Sequence, residues 1–469
     1  MKTSPLVSSL GCLLVAGAFL NYSEVLAKEP AKSEIQEKVD SGESRRGTKE
    51  LLNECKCFRV DVILIEGLLR TRRAVVEREL LFQEGDIATI DEVERSVRRL
   101  RNTGLFQNIS YEFIEPQVAS FGEEIARIGS PGRLLRIELE ERWTLTPSFG
   151  LSSGGETFQL RLGAQDANLF GTFRQVGGQY TRLGETNSFA VWYRDPRFFD
   201  RRLRFTIDGN LTNRQYSFYN LQGELQGGYL LTRWRGILGL QQEWRSWART
   251  ALHFSLYSDT FSYSLVSDAR REGQESRGGL PGSVDTLHFG LSSGLGRIDE
   301  DTYRFRGTTV TARIDEFFQT TESGRGRKLS LSARHFTELP LRSNLAIRAH
   351  VGLSWMDREH QHYFVGGLDA IRGTVDKRYS GEHYWLTNFE FRIPSLVLPW
   401  LVLQHVAFLD VVGVGGEPED LLQYTAATTG LGIRILSPEI YGLLLRIDYA
   451  LPILGADGPA LSFGAGQFF

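Results

Sequence analysis

The chain has no uninterrupted apolar run of eighteen residues, about the length a helix needs to cross a bilayer, which argues against helical membrane spans. It does not exclude a membrane barrel, whose strands read as half polar and are compatible with a mean hydropathy of −0.23. A surplus of basic charge is also missing. Lys+Arg at 54 against Asp+Glu at 57 gives a net charge of −3, with no bias toward nucleic acid. Methionine occurs only 2 times and cysteine 3 times, as Cys12, Cys55 and Cys57. Cys12 sits in an apolar stretch that continues past it and does not read as a lipoprotein cysteine. Cys55 and Cys57 are compatible with a tight disulfide or a pair of free thiols, and neither is given a role. There is no phosphate loop and no Cys-rich metal site. What is abundant is Gly at 49, Phe at 29, Tyr at 16 and Trp at 8, a composition of turns and strands. At 469 residues the chain is long enough for two or three domains, although barrels run long as single ones.

The N-terminus reads as an export signal over residues 1–27. Lys2 supplies the charge, Leu10 to Leu20 is apolar but too short to span, and Val25-Leu26-Ala27 is a small-residue cleavage pattern. Residues 28–54 are charged and almost without aromatics, the composition of a linker.

Residues 55–141 read as a small α+β domain. FRVDVILIEG from Phe58 alternates as a strand ending at Gly67. Thr71 is placed to cap a helix in RRAVVERELLF, with Ala74, Val75, Leu80 and Leu81 as its apolar stripe. A second helix runs from Asp91, with Val93, Val97 and Leu100 at helical spacing and Gly104 as its stop. Strands at 106–114 and 134–140 follow. The order of these features, with "EGD" and "LRNTGLFQNISYEF", resembles a polypeptide-transport-associated (POTRA) domain. The resemblance implies a periplasmic binding module whose strand edge takes up a client strand.

From residue 142 to 469 the period is two. LRFTIDGNL places Leu203, Phe205, Ile207 and Leu211 on one face against Arg204, Thr206, Asp208 and Asn210. NLAIRAHVGLSW and LLLRIDYAL repeat the pattern, the second with Leu445, Ile447 and Tyr449 against Arg446 and Asp448. Sixteen or seventeen such segments occur, and bacterial single-chain barrels use even numbers, so sixteen antiparallel strands are expected. The run at 249–262 is expected to be a loop extension, and no helix of convincing length is expected here. Alternation alone does not separate a lipid-facing barrel from a soluble sandwich. The export signal and the last segment, LSFGAGQFF, favour the barrel. That segment puts Leu461, Phe463, Ala465 and Phe469 on one face, and it resembles the signal by which outer-membrane barrels are recognised for assembly.

The most specific resemblance lies in YFVGGLDAIRGT, residues 363–374. It resembles the inward sixth extracellular loop of the BamA/TamA superfamily of outer-membrane insertases, whose motif is Val-Arg-Gly followed by an aromatic. Here the motif reads Ile371, Arg372, Gly373 and Thr374. GAQDANLFGTF at 163–173, WYRDPRFFDRRLRF at 192–205 and GLGIRILSP with IDYALP at 430–452 also resemble that family, so the likeness runs from about 58 to 469. An inward arginine needs acidic partners, because an unpaired buried guanidinium is costly. The resemblance assigns them to Glu390 and Asp410.

The implied protein is not an enzyme and needs no cofactor. GLSSG at 150–154 and 290–294 formally fits a nucleophile elbow. That chemistry needs a strand-turn-helix setting, and both copies lie among period-two segments, so they read as strand ends and turns. His360 and His362 read as residues of a solvated loop, and the 8 histidines show no positioned Ser/His or Asp/His set. The leading expectation is an assembly factor in the bacterial outer membrane. Its partners would be the lipid bilayer and unfolded β-barrel clients, with periplasmic chaperones or accessory lipoproteins as further ones; nucleic acid is not among them. Clients would enter at a seam between first and last strands, weakened by Pro147, Gly464 and Gly466 and ending at Phe469. The alternative is a two-partner-type secretion pore. A passive porin does not explain the POTRA domain.

Overall fold

The computed structural model describes residues 57–114, 133–220, 224–301, 303–321, 324–356, 358–367, 370–422, 425–437, 444–455 and 457–469. The export signal, the linker and Cys55 lie outside them. Cys57 is disulfide-bonded, which decides against a free thiol there. The chain divides into two compact units. One runs up to Trp143 and includes Phe170–Phe173; the other joins Thr144–Leu169 to Arg174–Phe469.

In the first unit, strands β1 (Cys57–Glu66), β2 (Ile87–Thr89), β3 (Phe106–Ile114) and β4 (Arg133–Glu141) form one sheet in the order β2-β1-β4-β3. Helix α1 spans Arg73–Glu77 and α2 spans Ile90–Asn102. Thr89 starts α2 because its side chain accepts the Glu92 N–H while Glu92 reaches back to the Thr89 N–H. Val93, Val97 and Leu100 then lie on one buried face, and Val93 and Leu100 share a core with Leu135, Ile137 and Leu139 of β4. The expected first helix needs correction. It is shorter, its cap is Arg72 with no side-chain bond, and its buried residues are Val75 and Val76, with Leu80 and Phe82 beyond its end and Leu81 exposed. Thr71 does not cap it, because the helix starts at Arg73 and Thr71 lies one residue before the cap position; the carboxylate of Glu141 accepts the N–H groups of Leu69, Arg70 and Thr71, the last at 2.7 Å. Among the described residues strand β3 pairs only with β4, so it forms an edge of the sheet.

The second unit is a closed antiparallel barrel. It begins with β5 (Leu145–Gly154), β6 (Thr157–Leu169), β7 (Arg174–Leu183), β8 (Thr186–Asp195) and β9 (Leu203–Tyr219). It continues with β10 (Leu225–Arg245), β11 (Ala248–Ser262), β12 (Val284–Asp301), β13 (Arg304–Gln319), β14 (Arg325–Leu339) and β15 (Ser343–Trp355). A two-stranded hairpin, β16 (Tyr363–Val365) and β17 (Tyr379–Gly381), lies in the connection that follows. The wall resumes with β18 (His383–Val397), β19 (Val402–Gly415), β20 (Thr425–Leu436), β21 (Leu444–Leu454) and β22 (Ala460–Ala465), and β22 returns to β5. In lipid only such closure satisfies every strand edge.

Burial is reversed relative to a water-soluble fold. Leu252, Leu256, Phe389, Leu431, Ile447 and Tyr449 are exposed, whereas Glu390, Arg392, Asp410, Arg434 and Asp448 are fully buried. An apolar outer belt around a polar interior is the pattern of a membrane barrel. One sequence expectation fails here. The run at 249–262 is not a loop extension; β11 is in register with β10 and β12 along its length. Its pattern misleads because aromatics point both ways, Phe254 outward and Tyr257 and Phe261 inward, while the outward Ser258 and Thr260 are polar. A nine-residue helix α3 (Asp268–Ser276) also occurs between β11 and β12; its polar sequence gives no apolar stripe to read.

Candidate functional site

The loop between β15 and β18 carries Arg372 into the barrel, where it is 2 % exposed. Its geometry follows from the short Ile371–Thr374 turn. Ile371 is buried with Val365, Leu386, Val412 and Val414, which anchors the turn against β18 and β19. Gly373 has φ +80°, and a Cβ there would meet Ala450 Cβ at 2.9 Å, so only glycine allows this approach to β21. Thr374 stands where the resembling family carries an aromatic. It is buried, accepts the Gly367 N–H at 3.0 Å and donates to the Ile371 carbonyl at 3.0 Å, so it ties the loop by hydrogen bonds instead of by ring packing.

The guanidinium of Arg372 donates to Asp410 through Nε and Nη2, both at 2.8 Å, and to Glu390 through Nη1 at 2.6 Å. The Arg372 backbone N–H adds a bond to Asp410 at 3.1 Å. Such a two-toothed pairing fixes the planar group in direction as well as position. Its ring neighbours are Phe408, centred 3.5 Å from Cζ, and Phe468, at 4.1 Å.

Sequence reasoning missed much of the surroundings. Asp448 lies 3.7 Å from Arg372 and accepts from Arg434 at 2.7 Å; Glu390 also accepts from Arg392 at 2.6 Å and Arg434 at 3.2 Å. Three arginines thus face three carboxylates in a fully buried cluster, a balance that leaves no net charge among these six groups. Asn388 bridges the wall to the loop by donating to Asp410 Oδ1 and to the Ala370 carbonyl, each at 2.8 Å. Alternation already put Asp448 on an inward face; its distance from Arg372 in the chain hid the contact.

The same loop buries a second cation. Lys377, at φ +56°, places its ammonium 3.4 Å from the centre of the Tyr216 ring. Burial and the nearby Arg214 push its pKa well below the usual lysine value, against the pull of Asp376.

At the closure, Pro147 lies within β5 opposite Ala164 of β6. Strand β22 meets β5 at two residue pairs, Phe463 with Ser153 and Gly464 with Ser152. Gly466 lies just past the end of β22 at φ +88°. The expectation that Phe469 shares the outward face of Leu461 and Phe463 is overturned. The strand stops at Ala465, the chain turns at Gly466, and Phe469 packs near Phe336, Arg348 and Arg392 of the inner wall.

The histidines also need correction. His288 on β12 lies 3.2 Å from Ser255 Oγ on β11 through Nδ1, and 2.6 Å from Asp315 on β13 through Nε2. This Ser-His-Asp row was invisible because its members sit on three different strands. Ser255 and His288 are buried, and Ser255 lies in register between Ile237 of β10 and His288 of β12. GLSSG at 290–294 lies in mid-strand on β12, not at an end. His360 is buried beside Asp259 at 3.6 Å and is not a solvated loop residue. No cluster suited to a metal occurs among the described residues.

Residues 168–469 match the Omp85 superfamily domain, and residues 58–125 match the surface antigen variable number repeat, a POTRA domain. The chain belongs to the Omp85 superfamily. It is 23% identical over 434 residues to the outer membrane protein assembly factor BamA of Nitratidesulfovibrio vulgaris, covering 87% of this chain and 51% of that protein. The chain therefore spans about half the length of that relative. Its fold is similar to BamA from Haemophilus ducreyi lacking POTRA domains 1–3, with TM-score 0.63 and 14% identity over 87% of this chain and 85% of that one. It is also similar to CdiB from Acinetobacter baumannii, with TM-score 0.57 and 14% identity over 87% and 74%. This Omp85 protein is an outer-membrane β-barrel, with its POTRA domain in the periplasm.

Proposed function

We propose that this Omp85 protein assembles other β-barrels into the outer membrane. The observation that carries this reading is the closure of the barrel. Strands β21 and β22 are in register over six residue pairs, whereas β22 and β5 share two. The lower edge of β5, Leu145 to Leu151, thus offers backbone groups to an incoming strand, and Pro147 removes one donor from it. The POTRA edge at β3 would collect unfolded clients by strand addition. Free energy would come from client burial and pairing, without catalysis or a cofactor. The Arg372 cluster would act as a strut, holding the loop against β18, β19 and β21 while the seam opens elsewhere. Periplasmic chaperones or accessory lipoproteins would deliver clients.

The likeness of fold to CdiB keeps a second reading in play, a secretion pore of the two-partner type. Profiling the outer membrane after depletion separates them. Broad loss of barrel proteins supports assembly; loss of a single secreted protein overturns it in favour of export.

A further inference from the structure

Strand β5 follows the periplasmic POTRA domain in the chain. In an antiparallel wall the turns from β8 to β9 and from β10 to β11 therefore lie at the periplasmic end. The backbone joins these two turns. Leu203 is in register with Gln242, and the Glu243 N–H donates to the Arg202 carbonyl at 3.1 Å. Together they carry Arg201, Arg202 and Arg245, all exposed, none of them in an ion pair among the described residues. The acids of the same turns are Asp195, Asp200 and Glu243; Asp195 is held by Arg174 at 3.1 Å, and Glu243 lies beside Arg204.

The same turns present aromatic rings to the lipid side. Phe198 stacks on Phe205 with ring centres 4.8 Å apart, and Phe205 is in register with the outward Leu240. Phe199 is centred 4.2 Å from Phe198 and is 76 % exposed. Phe199 and Asp200 take φ +54° and +56°, a conformation that residues with a Cβ disfavour and that persists at ligand clamps. Trp244 and Trp247 are also exposed, and Trp244 donates through Nε1 to Thr250 Oγ1 at 3.1 Å.

Aromatic side chains suit the boundary between hydrocarbon and headgroups, but that role needs no cation. The turn from β18 to β19 presents an exposed Trp400 with no charged residue between Val397 and Leu403. The β8–β11 side adds guanidinium groups without carboxylate partners, beside rings that reach the acyl region. A guanidinium holds a phosphate by forked hydrogen bonds, and each one near the surface favours a lipid of net negative charge.

We infer that the β8–β9 and β10–β11 turns form a binding site for a net-negative phospholipid of the periplasmic leaflet. Arg201, Arg202 and Arg245 hold its phosphate, and its acyl chains lie against Phe198, Phe199 and Trp244. The site is on the lipid side of the wall, so it stands whether the protein assembles barrels or exports a protein.

The test titrates the full chain, folded in neutral detergent, with phosphatidylglycerol or with phosphatidylcholine and counts retained lipid by native mass spectrometry. The parent should prefer phosphatidylglycerol roughly a hundredfold, about fivefold for each of the three arginines. R201Q/R202Q should lower that preference to roughly fivefold. F199A should weaken retention of both lipids alike and leave the preference in place. R325Q makes the same kind of charge change at the other end of the barrel and should alter neither. Heat-modifiable mobility on gels shows that each variant is folded. Equal retention of the two lipids by the parent would overturn the site, as would an R201Q/R202Q variant that behaves like R325Q. Displacement of phosphatidylglycerol by an equal concentration of inorganic phosphate would also overturn it, because the acyl contacts would then contribute nothing.

Discussion

Replacing Arg372 by alanine removes the cation from a fully buried cluster. Asp410 would lose three hydrogen bonds and retain the Asn388 amide, while Glu390 would keep Arg392 and Arg434. The damage therefore concentrates at Asp410, which is left as a buried carboxylate without a cation. Breaking such a pair costs about 3–5 kcal/mol. The comparison is Arg325→Ala at the start of β14, whose side chain is 64% exposed and 3.3 Å from Glu316. Exposed pairs of that kind contribute about 0–1 kcal/mol. The assay is the temperature at which the purified barrel loses its heat-modifiable mobility on gels. Arg372→Ala should fall well below Arg325→Ala, and adding Asp410→Asn should recover part of the loss by removing the stranded charge. Arg372→Lys should lie between, because an ammonium cannot make the two-toothed bond. Equal melting of the two alanine variants, with equal activity, would refute the strut.

Other expectations follow from separate parts of the molecule. Deleting residues 55–140 should leave a barrel that still inserts while client assembly fails; assembly at the full rate would remove the POTRA domain from the mechanism. A disulfide across the seam at 464 and 152, in a background lacking Cys55 and Cys57, should stop assembly reversibly, whereas one between 190 and 210, paired on β8 and β9, should not. Thr374→Val should destabilise the loop by about 1–3 kcal/mol, since it strands the Gly367 N–H, and melting of the folded barrel reports it. Lys377 has a folded-state pKa below its unfolded value, so the unfolded chain binds more protons between the two. Stability should therefore rise as pH climbs from the depressed pKa toward 10.5. Lys377→Met should abolish that alkaline rise in urea titrations run across pH.

The period-two alternation over 142–469 is local, since successive residues of a strand face opposite sides. That is why Leu445, Ile447 and Tyr449 could be assigned to one face, and Arg446 and Asp448 to the other, without coordinates. It fails where a strand breaks the rule, as in β11 with inward Tyr257 and Phe261. The capping box at Thr89 and Glu92 was local too, and could have been read. Resemblance, not periodicity, singled out Arg372 with Glu390 and Asp410. What only the closed barrel decided is which distant residues meet. Asp448, Arg434 and Arg392 reach the loop from three strands, and Ser255, His288 and Asp315 line up across three others. Phe469 shows the limit most plainly. Alternation continued it outward, but one glycine at φ +88° and a lumen lined with arginines turn the tail inward. Register along one strand is fixed by its own sequence of faces; partners across the lumen are fixed by strand order, shear and closure, which involve the whole chain at once.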